Sequence, residues 1–237
     1  MKMTSSGACR LAAIVIALAA TSARGAAQDP RLSAITDDVA RSRISAVIER
    51  ARAASLPVEP LVDKALEGAR KRAGDARIVD AVTSLEARLD SSRVALGSAS
   101  SEAELVAAAA ALQAGVGPAV LTQLRRERSG RSLAIPLVVL SDLVTRGVPH
   151  DTASALILLV AHEGLGDETL LAIQRDVQRD VRDGAHPATA AAIRARGAVS
   201  GASTRMRPTR GPLAAGAATS AAPGALSGHP SPAGTKP

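Results

Sequence analysis

Phenylalanine, tyrosine, tryptophan and asparagine are all absent from the 237 residues. Without aromatic rings the chain cannot recognise ligands by base stacking, sugar-face stacking or aromatic cages, and it lacks the aromatic anchors that usually dominate protein interfaces. A GC-rich genome, which favours codons for alanine, arginine, glycine, valine and leucine, accounts for part of this bias. It does not account for the missing tryptophan, whose codon is itself GC-rich. The one cysteine, Cys9, precedes the first apolar run, whereas a lipoprotein cysteine would follow it. The rest of the chain therefore has no disulfide, no thiol chemistry and no thiolate metal site. A hydrophobic core must hold the fold.

A membrane span needs about 20 apolar residues. The run LAAIVIALAA at residues 11–20 is too short for that. It follows Lys2 and Arg10 and precedes the small residues of TSARGAAQD, which is the three-part pattern of a secretory signal. Cleavage after Gly25 or Ala27 fits, so residues 1–27 are expected to be a signal peptide. The expected destination is a bacterial periplasm or cell envelope, or secretion, with no stable transmembrane span after cleavage.

The net charge of +7 is unevenly distributed. Lys2, Arg10 and Arg24 precede the first acid, and the stretch from Ala195 onward holds Arg196, Arg205, Arg207, Arg210 and Lys236 with no acid, leaving 21 cations against 22 acids between these two stretches. The basic character belongs to the ends. From about Ala195 the chain turns to alanine, glycine, proline, serine and threonine with no sustained apolar period. Residues 196–237 are expected to be a disordered spacer, with the boundary near Ile193. The remaining stretch, 28–195, is long enough for one self-supporting domain.

Within that stretch one phrase recurs: an apolar run ends, a glycine follows, then an apolar residue, a proline or glycine, polar residues and a new apolar run. VTRGVPHDTASALILLV from Val144 and VAHEGLGDETLLAI from Val160 both read this way. Breaks of similar chemistry fall near Ser55, Ala73, Ala99, Gly115, Gly130, Gly147, Gly164 and Gly184, mostly about 15 to 20 residues apart. Glycine suits the left-handed position after a helix. Proline suits a helix's first turn, and acids such as Glu102, Asp167 and Glu168 meet the positive end of the helix dipole there. Between breaks the apolar spacing is three to four: Leu61, Val62, Ala65, Leu66; Ile78, Val79, Val82, Leu85, Leu89; Leu170, Ile173, Val177, Val181. No segment shows strand alternation. The expected fold is all-α, a series of short helices joined by tight glycine and proline turns, either an orthogonal bundle or a short α-solenoid. Uneven intervals favour the bundle. A hairpin every ~34 residues is the period of tetratricopeptide arrays, but the fixed aromatic and proline positions of those arrays are missing, so that family is not assigned. Two helices are expected to be central: TASALILLVA from Thr152, apolar on nearly all sides, and the alanine-rich ELVAAAAALQA from Glu104, which lets a neighbour approach closely. IQRDVQRDVRD turns Val177 and Val181 inward.

Chemistry-bearing motifs are sparse. AHEG at Ala161 would begin a His-Glu-x-x-His zinc motif, but Gly166 stands where the second histidine belongs. His162 reads instead as a helix C-cap. His150 and His186 lie beside prolines. Asp151 follows His150, yet adjacent side chains seldom pair productively, and Ser141 with Asp142 and Ser154 sit in no nucleophile motif. No glycine-rich phosphate loop occurs. An active site built from His150, Asp151, His162 and Glu163 would have to join opposite ends of one helix, roughly 18 Å apart. Two basic clusters, Arg70, Lys71, Arg72 and Arg125, Arg126, Arg128, Arg131, read as candidate anion-binding groups or as cations complementing helix C-termini. The sequence thus points to an exported, non-catalytic helical scaffold that binds another protein, with no cofactor, no metal and no nucleic-acid partner. The alternative is adhesion to an anionic envelope polymer through the basic helix ends and tail. If no metal supports the fold, a chelator leaves the thermal midpoint of the mature chain unchanged; a clear drop in that midpoint contradicts the reading.

Overall fold

The computed structural model describes residues 29–206. A short 3-10 turn, Pro30–Ala34, leads into α1 (Asp38–Ala53), α2 (Glu59–Arg70), α3 (Asp75–Leu96), α4 (Glu102–Gln113), α5 (Pro118–Glu127), α6 (Ala134–Thr145), α7 (His150–His162), α8 (Asp167–Arg182) and α9 (Pro187–Met206). Among the described residues there is no strand. Each of the eight breaks expected from sequence separates two consecutive helices.

The recurring phrase is a helix stop with a defined hydrogen-bond pattern. At the end of α4, Gly115 N–H donates to the Leu112 carbonyl at 3.1 Å and Val116 N–H to the Ala111 carbonyl at 3.1 Å. This is the paired bonding of a Schellman motif, which satisfies carbonyls that have no partner further along the helix. Gly115 takes φ +95°, a region a Cβ disfavours, while Val116 is buried beside the helix it terminates. The same two bonds close α6 at Gly147 and Val148, α7 at Gly164 and Leu165, and α8 at Gly184 and Ala185. They also close α1 at Ser55 and α2 at Arg72, with φ of 54° and 53°. A non-glycine residue holds that conformation at a cost of about 1–2 kcal/mol. Two further positions follow the stop: Pro118 and Pro187 open α5 and α9, and Asp75, Glu102 and Asp167 open α3, α4 and α8.

Short turns join consecutive helices, and the packing propagates along the chain. The principal contacts join neighbours, α2 with α3, α3 with α4, α6 with α7 and α8 with α9. They also join helices two apart: α1 with α3, α3 with α5, α4 with α6, α5 with α7, α6 with α8 and α7 with α9. No substantial contact reaches further along the chain among the described residues. This is how stacked hairpins pack, with odd helices in one layer and even helices in the other. Both expected arrangements, a bundle or a short solenoid, fit these contacts; the uneven intervals come from the 22-residue α3 and the longer turn before α6.

The interior forms two apolar clusters that share α3 and α4. Leu105 and Ala109 of α4 belong to the cluster of α1 to α3, and Ala107, Ala108 and Ala111 belong to the cluster of α5 to α9. An alanine helix can serve both sides because its small side chains let α3 and α6 approach closely. The expected central role of α4 and α7 holds: Ala153, Ile157 and Val160 of α7 are fully buried. So are Leu137, Val139, Leu140 and Leu143 of α6, a third central helix that the sequence reading passed over. Helix α9 runs to Met206, past residue 195 where the expected domain ends, with Ala195 buried and Ala198 packed against the core. Small side chains suffice there because they lie against α8. The expected signal and, from residue 207, the expected tail fall outside the described residues.

Two glycine replacements separate conformation from composition. Gly115→Ala places a Cβ at φ +95° and is expected to destabilise the fold by about 1 kcal/mol. Gly197→Ala, inside α9 with no atom within 4 Å of the new Cβ, is expected to stabilise it by up to ~1 kcal/mol. Equilibrium denaturant unfolding measures both.

Candidate functional site

The turns between odd and even helices share one edge of the stack. Arg93 at the end of α3 donates to the Ser55 carbonyl at 2.8 Å. Arg125 at the end of α5 pairs with Glu104 at the start of α4, and Arg128 pairs with Asp167 at the start of α8. On the opposite edge, Gly115 adjoins His150 and Gly147 adjoins Pro187. Two turns on the first edge are longer than the tight Schellman turn: residues 97–101, and residues 128–133. Between them opens a cleft of about 670 Å³, lined by Gly97, Ser98, Glu104, Arg125, Arg131 and Ser132 among others.

Glu104 organises the cleft. Ser101 caps α4, and the two residues form a reciprocal capping box: Glu104 N–H donates to Ser101 Oγ, while Ser101 N–H donates to Glu104 Oε2 at 2.8 Å. The other carboxylate oxygen reaches out of its helix. Oε1 accepts from Arg125 Nη2 at 2.8 Å and from Leu133 N–H, just before α6, also at 2.8 Å. The carboxylate side chain is 6% exposed. Burial pushes its pKa up, but the donated N–H groups of Leu133 and Ser101 and the Arg125 guanidinium outweigh burial and hold it below the usual carboxylate range. The positive ends of α4 and α6 add to the same field. Ser101 Oγ also donates to Oε2 at 3.2 Å, and these four donors around one carboxylate fix α4, α5 and α6 relative to one another.

The arginines of the second basic cluster do different jobs. Arg125 also donates from Nη1 to the Arg131 carbonyl at 3.1 Å, which holds the 128–133 turn in place. Arg128 is buried at 2% exposure, with its Nη2 2.6 Å from Asp167 Oδ1 and its Nε and Nη1 enclosed without a partner. Arg126 and Arg131 are exposed, and Arg131 borders the cleft. Arg70, Lys71 and Arg72 are exposed at the end of α2, on the opposite edge; Lys71 pairs with Glu67. The two clusters therefore do not form one surface, and Arg128 is an interior ion-pair partner with no free face for a ligand. The interior roles of Arg125 and Arg128 could not be read from charge pattern alone. The sequence reading missed Glu104; the spacing Ser101-x-x-Glu104, that of a capping box, is the signal that could have led to the cleft.

The remaining candidates are dispersed. His150 Nδ1 lies 3.0 Å from Asp151 Oδ1, a pairing that the sequence reading thought unfavourable, but both side chains are exposed at the start of α7. His162 and Glu163 lie at its other end, where His162 Nδ1 is 3.4 Å from Glu127 Oε2. Helix α7 keeps the two pairs apart. Ser141 Oγ donates to carbonyls of its own helix, Ser154 is buried in α7, and His186 is exposed in the turn before α9. Among the described residues no three histidine, cysteine, aspartate or glutamate side chains are grouped to hold a metal, and no helix is long and apolar enough to cross a membrane.

No protein-family model matches the chain, and neither a curated protein nor a solved structure matches it.

The lowered pKa of Glu104 makes stability depend on acid. The carboxylate's contribution is complete above the usual carboxyl value of 4.5 and is lost as pH falls through its lower folded value. Glu104→Gln, which leaves Arg125 without its counter-charge, is expected to cost about 2 kcal/mol or more at neutral pH. It should also flatten the loss of stability in acid. Urea unfolding at pH 7 and at pH 3.5 compares the two chains.

Proposed function

We propose that the protein is an exported, non-catalytic interaction module. Its stacked helices hold a rigid cleft for a carboxylate-bearing segment of another protein. The observation that carries this reading is the division of labour around Glu104. Arg125 and the Leu133 backbone are tied to that carboxylate, so the cleft walls are fixed before anything binds, whereas Arg131 at the rim makes no ion pair among the described residues. A preformed wall with one free guanidinium loses little freedom on binding, and a guanidinium matches a carboxylate in bidentate geometry. Serines 98 and 132 line the same opening and supply hydroxyls. The absence of aromatic rings suits a site that reads charge and hydrogen bonds more than stacked surface.

Export follows from the signal pattern at residues 1–27 and places such a partner in the periplasm, the envelope or the medium. The second reading, adhesion to an anionic polymer, needs a broad basic face. Separation of Arg70, Lys71 and Arg72 from the cleft, and burial of Arg128, leave it the tail and scattered side chains.

The test is capture on the immobilised mature chain of proteins solubilised from the organism's own envelope, with an Arg131→Glu variant alongside. One retained protein, surviving moderate salt and lost with Arg131→Glu, is the expected result. Retention equal on both chains and abolished by salt would move the function to diffuse electrostatic adhesion.

A further inference from the structure

The even-numbered layer carries a repeated feature that the cleft does not use. Helices α4, α6 and α8 lie side by side and run in the same direction. Glu104 near the start of α4 meets Leu133 at the start of α6, and Gln174 Nε2 of α8 donates to Asp142 of α6 at 2.8 Å. The fifth residue of each helix points outward and is apolar: Val106, Val138 and Leu171, exposed at 38%, 51% and 38%. One turn earlier on the same faces stand Ala103, Ile135 and Glu168, and one turn later Ala110, Asp142 and Arg175. Helices α4 and α6 bury most of their other faces, α8 buries Leu170, Ile173 and Val177, and the three apolar side chains share the fifth position of adjacent helices, which sets them in a row across the layer.

We infer that this row is the contact face of a homodimer, with its two-fold axis lying along the row and the partner's layer turned antiparallel upon it. The flanking residues of α4 and α8 make the face self-complementary in that arrangement, while on α6 Ile135 comes opposite Asp142, which stays bonded to Arg146 and Gln174 of its own chain. Rotation about the row sets the position before each apolar residue against the position after it in the partner copy. On α4 this brings alanine to alanine, which permits close approach of the helices. On α8 it brings Glu168 of each copy to Arg175 of the other. Both are exposed, and neither has an ion pair within its own chain among the described residues. Val106, Val138 and Leu171 each meet their own equivalent on the axis.

The size fits a modest association. Three helices at a spacing of about 9 Å, each presenting about 18 Å of length, offer roughly 500 Å² per copy. The pair buries about 1,000 Å², near the lower bound for a specific interface. This inference stands apart from the cleft, which lies at the edge formed by the turns.

Sedimentation velocity on residues 28–237, the expected mature chain, over about 1 to 100 µM tests it. A concentration-dependent monomer–dimer equilibrium is expected. Val138→Asp should give a monomer throughout the range, with a helical melting curve like that of the parent because the side chain is half exposed. Glu168→Arg should weaken the dimer about tenfold, and adding Arg175→Glu to it should restore the parent affinity. A parent chain that stays monomeric overturns the inference, and so does a dimer indifferent to Val138→Asp. Failure of the double charge exchange to restore affinity overturns the two-fold arrangement.

Discussion

One buried carboxylate fixes the geometry on which the middle of this molecule depends. Glu104 sits where the two apolar clusters meet, on a helix too rich in alanine to interlock by shape. Small side chains let α3 and α6 approach α4 closely, but they provide few ridges and grooves to set register. A charge with four directed donors supplies that register. Removing a carboxylate from water is costly, and the cost is offset here because every donor is already required elsewhere: Ser101 as a cap, Leu133 at the start of a helix, and Arg125 as the clamp on the following turn.

Much of the fold was legible in the sequence because its punctuation is local. A helix stop needs a residue at positive φ, an apolar residue behind it and a start signal two or three residues on. All of these lie within a window of about six residues. Gly115, Gly147, Gly164 and Gly184 could therefore be placed without knowing what packs where. Layering was less legible, since it depends on which faces meet across distances the period does not encode. A 22-residue α3 blurred the repeat. The extent of α9 was less legible for the opposite reason. Ala195 and Ala198 bury almost nothing individually, so a pattern read by apolar weight stops near Ile193, although α8 still has a surface to cover.

The candidate site shows the same division. Charge runs identified Arg125 and Arg128 as candidate binding groups, and their partners then determined what each does. A cation at a helix end can complement the dipole, clamp a turn or face a ligand, and only the position of the opposite charge distinguishes these. Asp167 lies 39 residues from Arg128, and Glu104 lies 21 residues from Arg125. No local pattern joins them. Of the whole second cluster, Arg126 and Arg131 alone remain exposed to act outward.

The claim that a buried carboxylate joins α4 to α6 is tested most directly by hydrogen exchange at one amide. Leu133 N–H precedes α6 and belongs to no helical ladder, so on backbone grounds it should exchange with the speed of a turn amide. Donated to Glu104 in a buried site, it is predicted to be protected as strongly as the interior amides of α6. Exchange as fast as that of Gly130, in the same turn, would contradict the account.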